Sequence, residues 1–336
     1  MISDPVFIVG TERSGSNLLR LLLNELPEIA IPHPPHLMRD LAPVVRRYGA
    51  LTEERNFRRL VQDAVRLVEL HFAPWPVRLE VEELMREIPE RDLYSVYAAI
   101  YEQYRKFNGK ARWGCKSTFM IHHVADILQH HSSPQFVHLV RDVRDVAVSA
   151  RRSVFCHFHP YYVARLWAEE QRRGIEWSAK VSSNQWLTVR YEDLIRHPAR
   201  TLRTVCEFLG STYTEEALKF FERPAARELS KLSRSWENVS KPVMKNNADK
   251  FLRHLSEHEI RLIEAVAQQE MEHFGYGLVT PAVALPEAVP KTWERAQYFA
   301  SECWMKIREE GRALLHDRNA RFRLRKKAFL WRLGWN

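Results

Sequence analysis

Four short apolar runs along the chain predict β-strands, and each is followed by a segment with helical spacing. The first run contains only apolar side chains, as expected of a strand that is buried on both faces of a parallel sheet. Strands that alternate with helices predict an α/β fold with an open, mainly parallel sheet and helices on both faces. The predicted strands are Val6–Val9, Arg112–Cys115, Phe136–Val140 and Trp186–Val189.

The pattern changes between about residues 40 and 110, where apolar positions recur at helical intervals with no strand among them. Leu60, Ala64 and Leu67 show this spacing, and Val96 and Ile100 continue it. This segment is predicted to be a helical insertion into the α/β domain.

Prolines mark a predicted linker after the α/β domain. With Pro281, Pro286 and Pro290 as punctuation, residues 1–280 are predicted to form one domain, and residues 281–336 a linker and a basic helical extension. Its last part, residues 318–336, has seven basic residues and no acidic one, mixed with Phe, Leu and Trp. Such a helix either packs on the α/β domain or a second subunit, which is the favoured interpretation, or lies on an anionic membrane surface.

The first strand runs directly into a glycine-containing loop and then into an apolar helix. Backbone N–H groups and a helix N-terminus converge in such a strand–loop–helix unit, which predicts a phosphate site formed by Ser14, Gly15, Ser16 and Asn17. An ATP-binding P-loop has Lys and Ser or Thr after its second glycine, whereas this chain has Ser16 and Asn17, with Arg13 inside the loop. The loop is therefore P-loop-like but predicts a ligand other than ATP.

A second candidate anion site follows the strand Phe136–Val140. Arg141 stands at the end of that strand, and Ser149 follows eight residues later in the next helix. A guanidinium binds phosphate through two parallel hydrogen bonds, and a hydroxyl can add a third donor.

These two blocks resemble the 5′-phosphosulfate and 3′-phosphate binding segments of the PAPS-dependent sulfotransferases, above all of the branch that includes the tyrosylprotein sulfotransferases. The resemblance covers roughly residues 5–37 and 110–277, with five blocks in the family's order. The three further blocks are Trp113–Ser117, Val189–Leu194 with the helix behind it, and Ser235–Val243 with Lys250.

The resemblance implies transfer of a sulfuryl group, in line and without a metal, from 3′-phosphoadenosine 5′-phosphosulfate (PAPS) to a hydroxyl or amine, leaving 3′-phosphoadenosine 5′-phosphate (PAP). In such a reaction the protein mainly positions groups and neutralises charge. It implies Lys116 at the bridging oxygen, Arg13 at the sulfonate or 5′-phosphate, and Ser235 at the phosphosulfate. It further implies that Tyr191 and Lys250 bind the cofactor, Lys250 at its 3′-phosphate.

The chain departs from the family where a glutamate base is expected. No acid stands at that place; His33 and His36 flank it, and prolines separate them. Histidine suits base chemistry near neutral pH, so His33 is the favoured candidate and His36 the second, with an expected pKa between about 6 and 7. Glu28 and Asp40 are weaker alternatives.

The composition limits the ligands and the location of the protein but does not identify its function. A net charge of +9 favours an anionic ligand. The four cysteines lack metal-binding spacing and no leader or membrane span is evident, which predicts a reducing, cytoplasmic location. We expect no metal site, no nucleic-acid partner and a small-molecule acceptor, with glycan, lipid and peptide acceptors open. A P-loop-like kinase or NTPase and a non-catalytic PAP- or PAPS-binding protein are the alternative functions.

Overall fold

A five-stranded parallel sheet forms the centre of the molecule, which a computed structural model describes for residues 4–232, 234–317 and 319–334. The strand order is β2-β3-β1-β4-β5, and every neighbouring pair is parallel. This confirms the predicted α/β class. The strands are β1 (Val6–Gly10), β2 (Ile29–Ala30), β3 (Arg112–Cys115), β4 (Gln135–Val140) and β5 (Trp186–Arg190).

The edge strand β2 is the element that the sequence pattern did not predict. It has two residues, and it pairs with the start of β3 through Ile29 and Ala30. A strand of two residues is too short to show the alternation or the apolar run that identifies a strand in sequence.

Helices cover both faces of the sheet, and alternate side chains of β1 pack against them in two separate cores. Phe7 and Val9 pack into one apolar cluster, and Val6 and Ile8 into another on the opposite face. The α-helices are α1 (Ser16–Asn24), α2 (Leu37–Leu41), α3 (Glu54–Glu69), α4 (Val81–Glu87), α5 (Leu93–Phe107), α6 (Val124–His130), α7 (Val143–Ala150), α8 (Pro160–Lys180), α9 (Tyr191–Arg196), α10 (Pro198–Leu209), α11 (Pro224–Ser230), α12 (Phe251–His254), α13 (Glu257–His273), α14 (Thr292–His316) and α15 (Ala320–Leu333).

Within the described residues, six short segments form 3-10 helices between these elements. They are Ala42–Tyr48, Thr118–His123, Glu215–Glu222, Arg234–Ser240, Ala282–Ala284 and Pro286–Ala288.

Helices α2 to α5 form the helical segment between β2 and β3. Their apolar side chains, such as Leu60, Ala64 and Ile100, are fully buried against the face of the sheet that carries Phe7 and Val9. Because α3 ends beside the carboxyl edge of the sheet, this segment brings side chains to the functional cleft described below.

The two C-terminal helices pack on the rest of the chain. On α14, Glu302 accepts hydrogen bonds from the backbone N–H groups of Phe158 and His159. On α15, Phe329 is 7% exposed and belongs to the same apolar cluster as α3 and α5. No helix among the described residues is long and apolar enough to cross a membrane. Residues 318, 335 and 336 of the basic tail lie outside the described residues.

The opposite face of α15 carries apolar side chains in solvent. Leu324 is 51% exposed and Trp331 is 75% exposed. The structure thus shows this helix packed on the α/β domain, and contact of its outer face with a second subunit or an anionic membrane stays a prediction.

We expect Phe329→Ala to loosen α15, since truncation of a buried phenylalanine costs about 3 kcal/mol or more. Hydrogen–deuterium exchange of the α15 amides would measure this loss of protection. Trp331→Ala is the matched control, because that side chain lies in solvent on the same helix. Equal effects of the two substitutions would contradict the packing described here.

Candidate active site

A cleft of about 470 Å³ lies at the carboxyl ends of β1, β3 and β4. Parallel sheets bind their ligands at this edge, because the loops and helix N-termini that follow neighbouring strands meet there. The residues predicted from sequence that border the cleft are Arg13, Gly15, Ser16, Asn17, His33, His36, Lys116, Arg141, Ser149, Tyr191 and Lys250.

The loop between β1 and α1 turns tightly around an open centre. Arg13 and Gly15 have positive φ angles of 71° and 91°, and α1 begins at Ser16. The first N–H groups of a helix have no acceptor within the helix, so those at the start of α1 are available to an anion. The N–H of Ser14 is engaged within the loop by the carbonyl of Thr11 at 3.3 Å.

Two side-chain groups of this loop are buried without a hydrogen-bond partner among the described residues. They are the hydroxyl of Ser14 and the Nδ2 amide nitrogen of Asn17. The other side-chain atom of Asn17, Oδ1, accepts a hydrogen bond from Arg20 at 2.9 Å. A buried donor without a partner is costly, and an oxyanion in the loop would satisfy these groups.

The loop needs a glycine at position 15 because a larger residue would not fit there. A Cβ atom on Gly15 would lie 2.3 Å from the ring of Tyr191, and its φ of 91° disfavours any other residue. The ring of Tyr191 also lies under the guanidinium of Arg141, which is 4.4 Å from the ring centroid. Tyr191 therefore packs against both segments that are predicted to bind anions.

Arg141 joins the two segments predicted to bind phosphate. Its guanidinium donates to the carbonyl of Arg13 at 3.1 Å and to the carbonyl of Asn247 at 3.0 Å. Its Nη2 atom lies 3.7 Å from Oδ2 of Asp145, and its Nε is buried with no hydrogen-bond partner among the described residues. In the same cluster, Nε of Arg13 donates to the hydroxyl of Ser149 at 3.1 Å.

Lysines complete the positive lining of the cleft. Burial lowers the pKa of Lys116 to about 8, and the charge of Arg20 adds to this effect. Burial also lowers the pKa of Lys250, with a further contribution from Arg141. Both cations would gain from a bound polyanion, which favours their charged forms.

His33 borders the cleft and lies beside His71, a histidine that the sequence analysis did not single out. Nδ1 of His33 is 2.9 Å from Nε2 of His71, which follows α3. The other ring nitrogen of His33, Nε2, is buried without a hydrogen-bond partner in the part of the chain that the structure describes. His36 borders the same cleft, with its Nδ1 3.2 Å from the hydroxyl of Ser117. His71 gave no signal in the sequence because it is a single histidine outside every recognisable motif.

The segment that carries both histidines is anchored on several sides. The carbonyl of Ile31 accepts from Arg20 at 3.3 Å, and the carbonyl of His33 accepts from the indole of Trp75 at 2.9 Å. The carbonyl of Pro35 accepts from Lys326 of α15 at 2.9 Å. Prolines and these bonds fix the backbone between the two imidazoles.

The weaker acid candidates do not border the cleft. Glu28 accepts hydrogen bonds from Ser211 and the N–H of Thr212, and Asp40 forms ion pairs with Arg39 and Lys326. An acid that does border it is Glu12 of the first loop, which sequence analysis had not proposed as a base.

Two further predictions concern metal binding and Ser235. The backbone of Ser235 belongs to the 3-10 helix Arg234–Ser240, and its side chain lies outside the described part of the structure. A group that could hold a metal ion, Glu90, Asp92 and His130, lies apart from the cleft and is partly exposed.

The buried histidines should titrate below the ordinary range, not between about 6 and 7 as the sequence alone suggested. Burial lowers the pKa of His33 and of His71 well below 6.5, and the charge of Lys116 lowers both further. Since the unfolded chain binds these protons near 6.5 and the folded one does not, stability falls as pH drops through that value. Thermal unfolding between about pH 7 and pH 5, with NMR titration of His33, would measure both effects. A folded-state His33 that titrates at 6.5 would contradict its burial.

Comparison with known proteins shows relatives of this chain. The protein-tyrosine sulfotransferase 2 of Gallus gallus is 22% identical over 259 residues, which are 74% of this chain and 63% of that relative. The chain thus matches less than two thirds of that relative's length.

Two solved structures share the fold. The sulfotransferase domain of the Synechococcus PCC 7002 olefin synthase aligns with a TM-score of 0.57 and 22% identity, over 82% of this chain and 96% of that domain. The sulfotransferase domain from the curacin biosynthetic pathway aligns with a TM-score of 0.55 and 18% identity, over 82% of this chain and 98% of that domain. Residues 5–215 match the profile of the sulfotransferase family. This match spans more than half of the chain, which therefore belongs to the sulfotransferase family.

Proposed function

We propose that the protein transfers a sulfuryl group from PAPS to a hydroxyl or amine of a small-molecule acceptor. The observation that carries this proposal is a set of buried donors, in the two segments beside the cleft, that have no hydrogen-bond partner among the described residues. They are the hydroxyl of Ser14, Nδ2 of Asn17 and Nε of Arg141. Asn17 and Arg141 border the cleft, and Ser14 is buried next to it in the same loop as Asn17. Lys116, which follows β3, and Lys250, which precedes α12, border the same cleft. A small molecule with two separate anionic groups fits this arrangement.

The residues present fit PAPS group by group. The start of α1, with Ser14 and Asn17, would hold the 5′-phosphosulfate, and Arg141, Ser149 and Lys250 would hold the 3′-phosphate. When bound, PAPS supplies a sulfuryl group attached to phosphate through an anhydride oxygen, and PAP is what remains after transfer. Ser235 stays a proposed contact to the phosphosulfate.

Lys116 has the position and the charge to stabilise the developing negative charge on the leaving oxygen. It follows β3, borders the cleft and is half-buried, so its charge is only partly screened by water. With a pKa lowered to about 8, it remains mostly protonated at neutral pH. Arg13 borders the same cleft and would balance charge on the sulfonate.

His33 is the proposed general base. For Nε2 to accept a proton from the acceptor, Nδ1 must carry the other proton and donate to Nε2 of His71, a tautomer that the 2.9 Å contact permits. His71 thereby fixes the ring and stabilises the imidazolium that forms, so we propose it as a positioning residue. The low pKa of His33 keeps its ring neutral, and therefore able to accept a proton, at physiological pH.

Thermal unfolding with PAP and with ATP–Mg²⁺ tests the function against its main alternative, a nucleotide-dependent kinase or NTPase. The proposal expects stabilisation by PAP without a metal, because binding to the folded state alone raises the melting temperature. Stabilisation by ATP–Mg²⁺ alone would overturn it. Binding of PAP without transfer of labelled sulfate from PAPS to any acceptor pool would support a non-catalytic binding protein.

Lys116→Ala and Arg141→Ala should have opposite effects. Lys116→Ala is expected to lower turnover roughly a hundred-fold or more with only a modest loss of PAP affinity, because its interaction grows in the transition state. Arg141→Ala is expected mainly to weaken PAP binding. Calorimetric titration with PAP and steady-state kinetics measure both. Unchanged PAP affinity in Arg141→Ala would show that the 3′-phosphate site is misassigned.

His33→Ala should abolish turnover and leave PAP affinity nearly intact, and His36→Ala should have a smaller effect. The wild-type rate is expected to rise with pH through the pKa of His33, at a pH below the ordinary histidine range. A pH–rate profile of the wild type and both variants checks this. Normal turnover in His33→Ala with loss in His36→Ala would transfer the role to His36, and full activity in the double variant would exclude histidine as the base.

A further inference from the structure

The C-terminal helix α15 forms one wall of the cleft. Phe322, Arg323 and Lys326 border it, and they share one face of the helix by their spacing of three or four residues. Neither the family profile, which ends at residue 215, nor the motifs of the sequence analysis assign anything to this wall.

The cations near this wall differ in their partners. Lys326 forms an ion pair with Asp40, and Arg39 lies within ion-pair distance of both Asp40 and Glu12. Arg323 has no carboxylate partner among the described residues, and its Nε is buried without a hydrogen-bond acceptor. The positive charge of Arg323 is therefore not neutralised by the described part of the protein.

A series of aromatic rings extends from His33, the proposed base, to Arg323. The ring of His33 lies 5.5 Å from that of Trp236, which stacks on Phe155 with centroids 6.0 Å apart and planes 22° apart. The guanidinium of Arg323 lies 5.8 Å from the centroid of Phe155. Phe72 stacks on the same indole at 4.8 Å. A ligand that extends from His33 along these rings would thus contact apolar surface before it reaches Arg323.

We propose that Arg323 binds an anionic group, a carboxylate or a phosphate, at the far end of an otherwise apolar acceptor whose hydroxyl reaches His33. This inference rests on the proposed sulfuryl transfer and names the class of its acceptor. An anion there would accept hydrogen bonds from the guanidinium, including its unpartnered Nε, in a partly desolvated site where such bonds are strong. The apolar body would pack against Phe155 and Trp236.

Calorimetric titration of the PAP-saturated protein tests this, with three probes that differ only at one end. They are ω-hydroxydecanoate, ω-hydroxydecyl phosphate and methyl ω-hydroxydecanoate. We expect at least one anionic probe to bind roughly ten-fold or more tighter than the neutral ester. Arg323→Gln should remove this preference and leave ester binding unchanged, and Arg323→Lys should retain part of it.

Arg325→Gln is the matched control, because it removes the same charge from the exposed part of the same helix. It should keep the preference for the anion. Equal binding of anion and ester, no binding of any probe to protein that binds PAP, or an equal loss in both glutamine variants would overturn the inference. Failure of PAP itself to bind would instead overturn the proposed function, so the two failures are distinguishable.

Discussion

The contact between Arg141 and the carbonyl of Arg13 holds the two halves of the cleft in register. It exists because β1 and β4 are parallel neighbours, so the loops that follow them leave the sheet side by side. The same guanidinium rests on Tyr191, whose ring also occupies the space that a side chain at position 15 would need. Arg141, Tyr191 and Gly15 thus pack the two segments that are predicted to bind anions against each other.

The electrostatic consequence is a cleft with more buried positive charge than its own acids neutralise. Arg20 is buried and Lys116 is half-buried, and partial loss of hydration lowers the pKa of each. Such an arrangement costs folding free energy without a ligand. The proposed ligand, with two anionic groups, would return that free energy as binding.

The sequence predicted the parts of this structure that follow from local pattern. The apolar run of β1, the loop after it and Arg141 at the end of β4 have recognisable spacing, and adjacent parallel strands place them together. His71 and Lys326 could not be predicted in the same way. They reach the segment of His33 and Pro35 through the packing of α3 and α15, and no local pattern encodes contacts between residues so distant in sequence. For the same reason, the buried environment that lowers the pKa of His33 became evident only from the fold.

The central claim is that the cleft recognises phosphates at both the 3′ and the 5′ position of one nucleoside. Calorimetric titration with PAP and with ADP tests it most directly, because the two are isomers that differ in where the second phosphate is attached. The account predicts that PAP binds roughly a hundred-fold or more tightly than ADP without a metal, since only PAP engages both the start of α1 and Arg141. Equal affinities, or tighter binding of ADP, would contradict it.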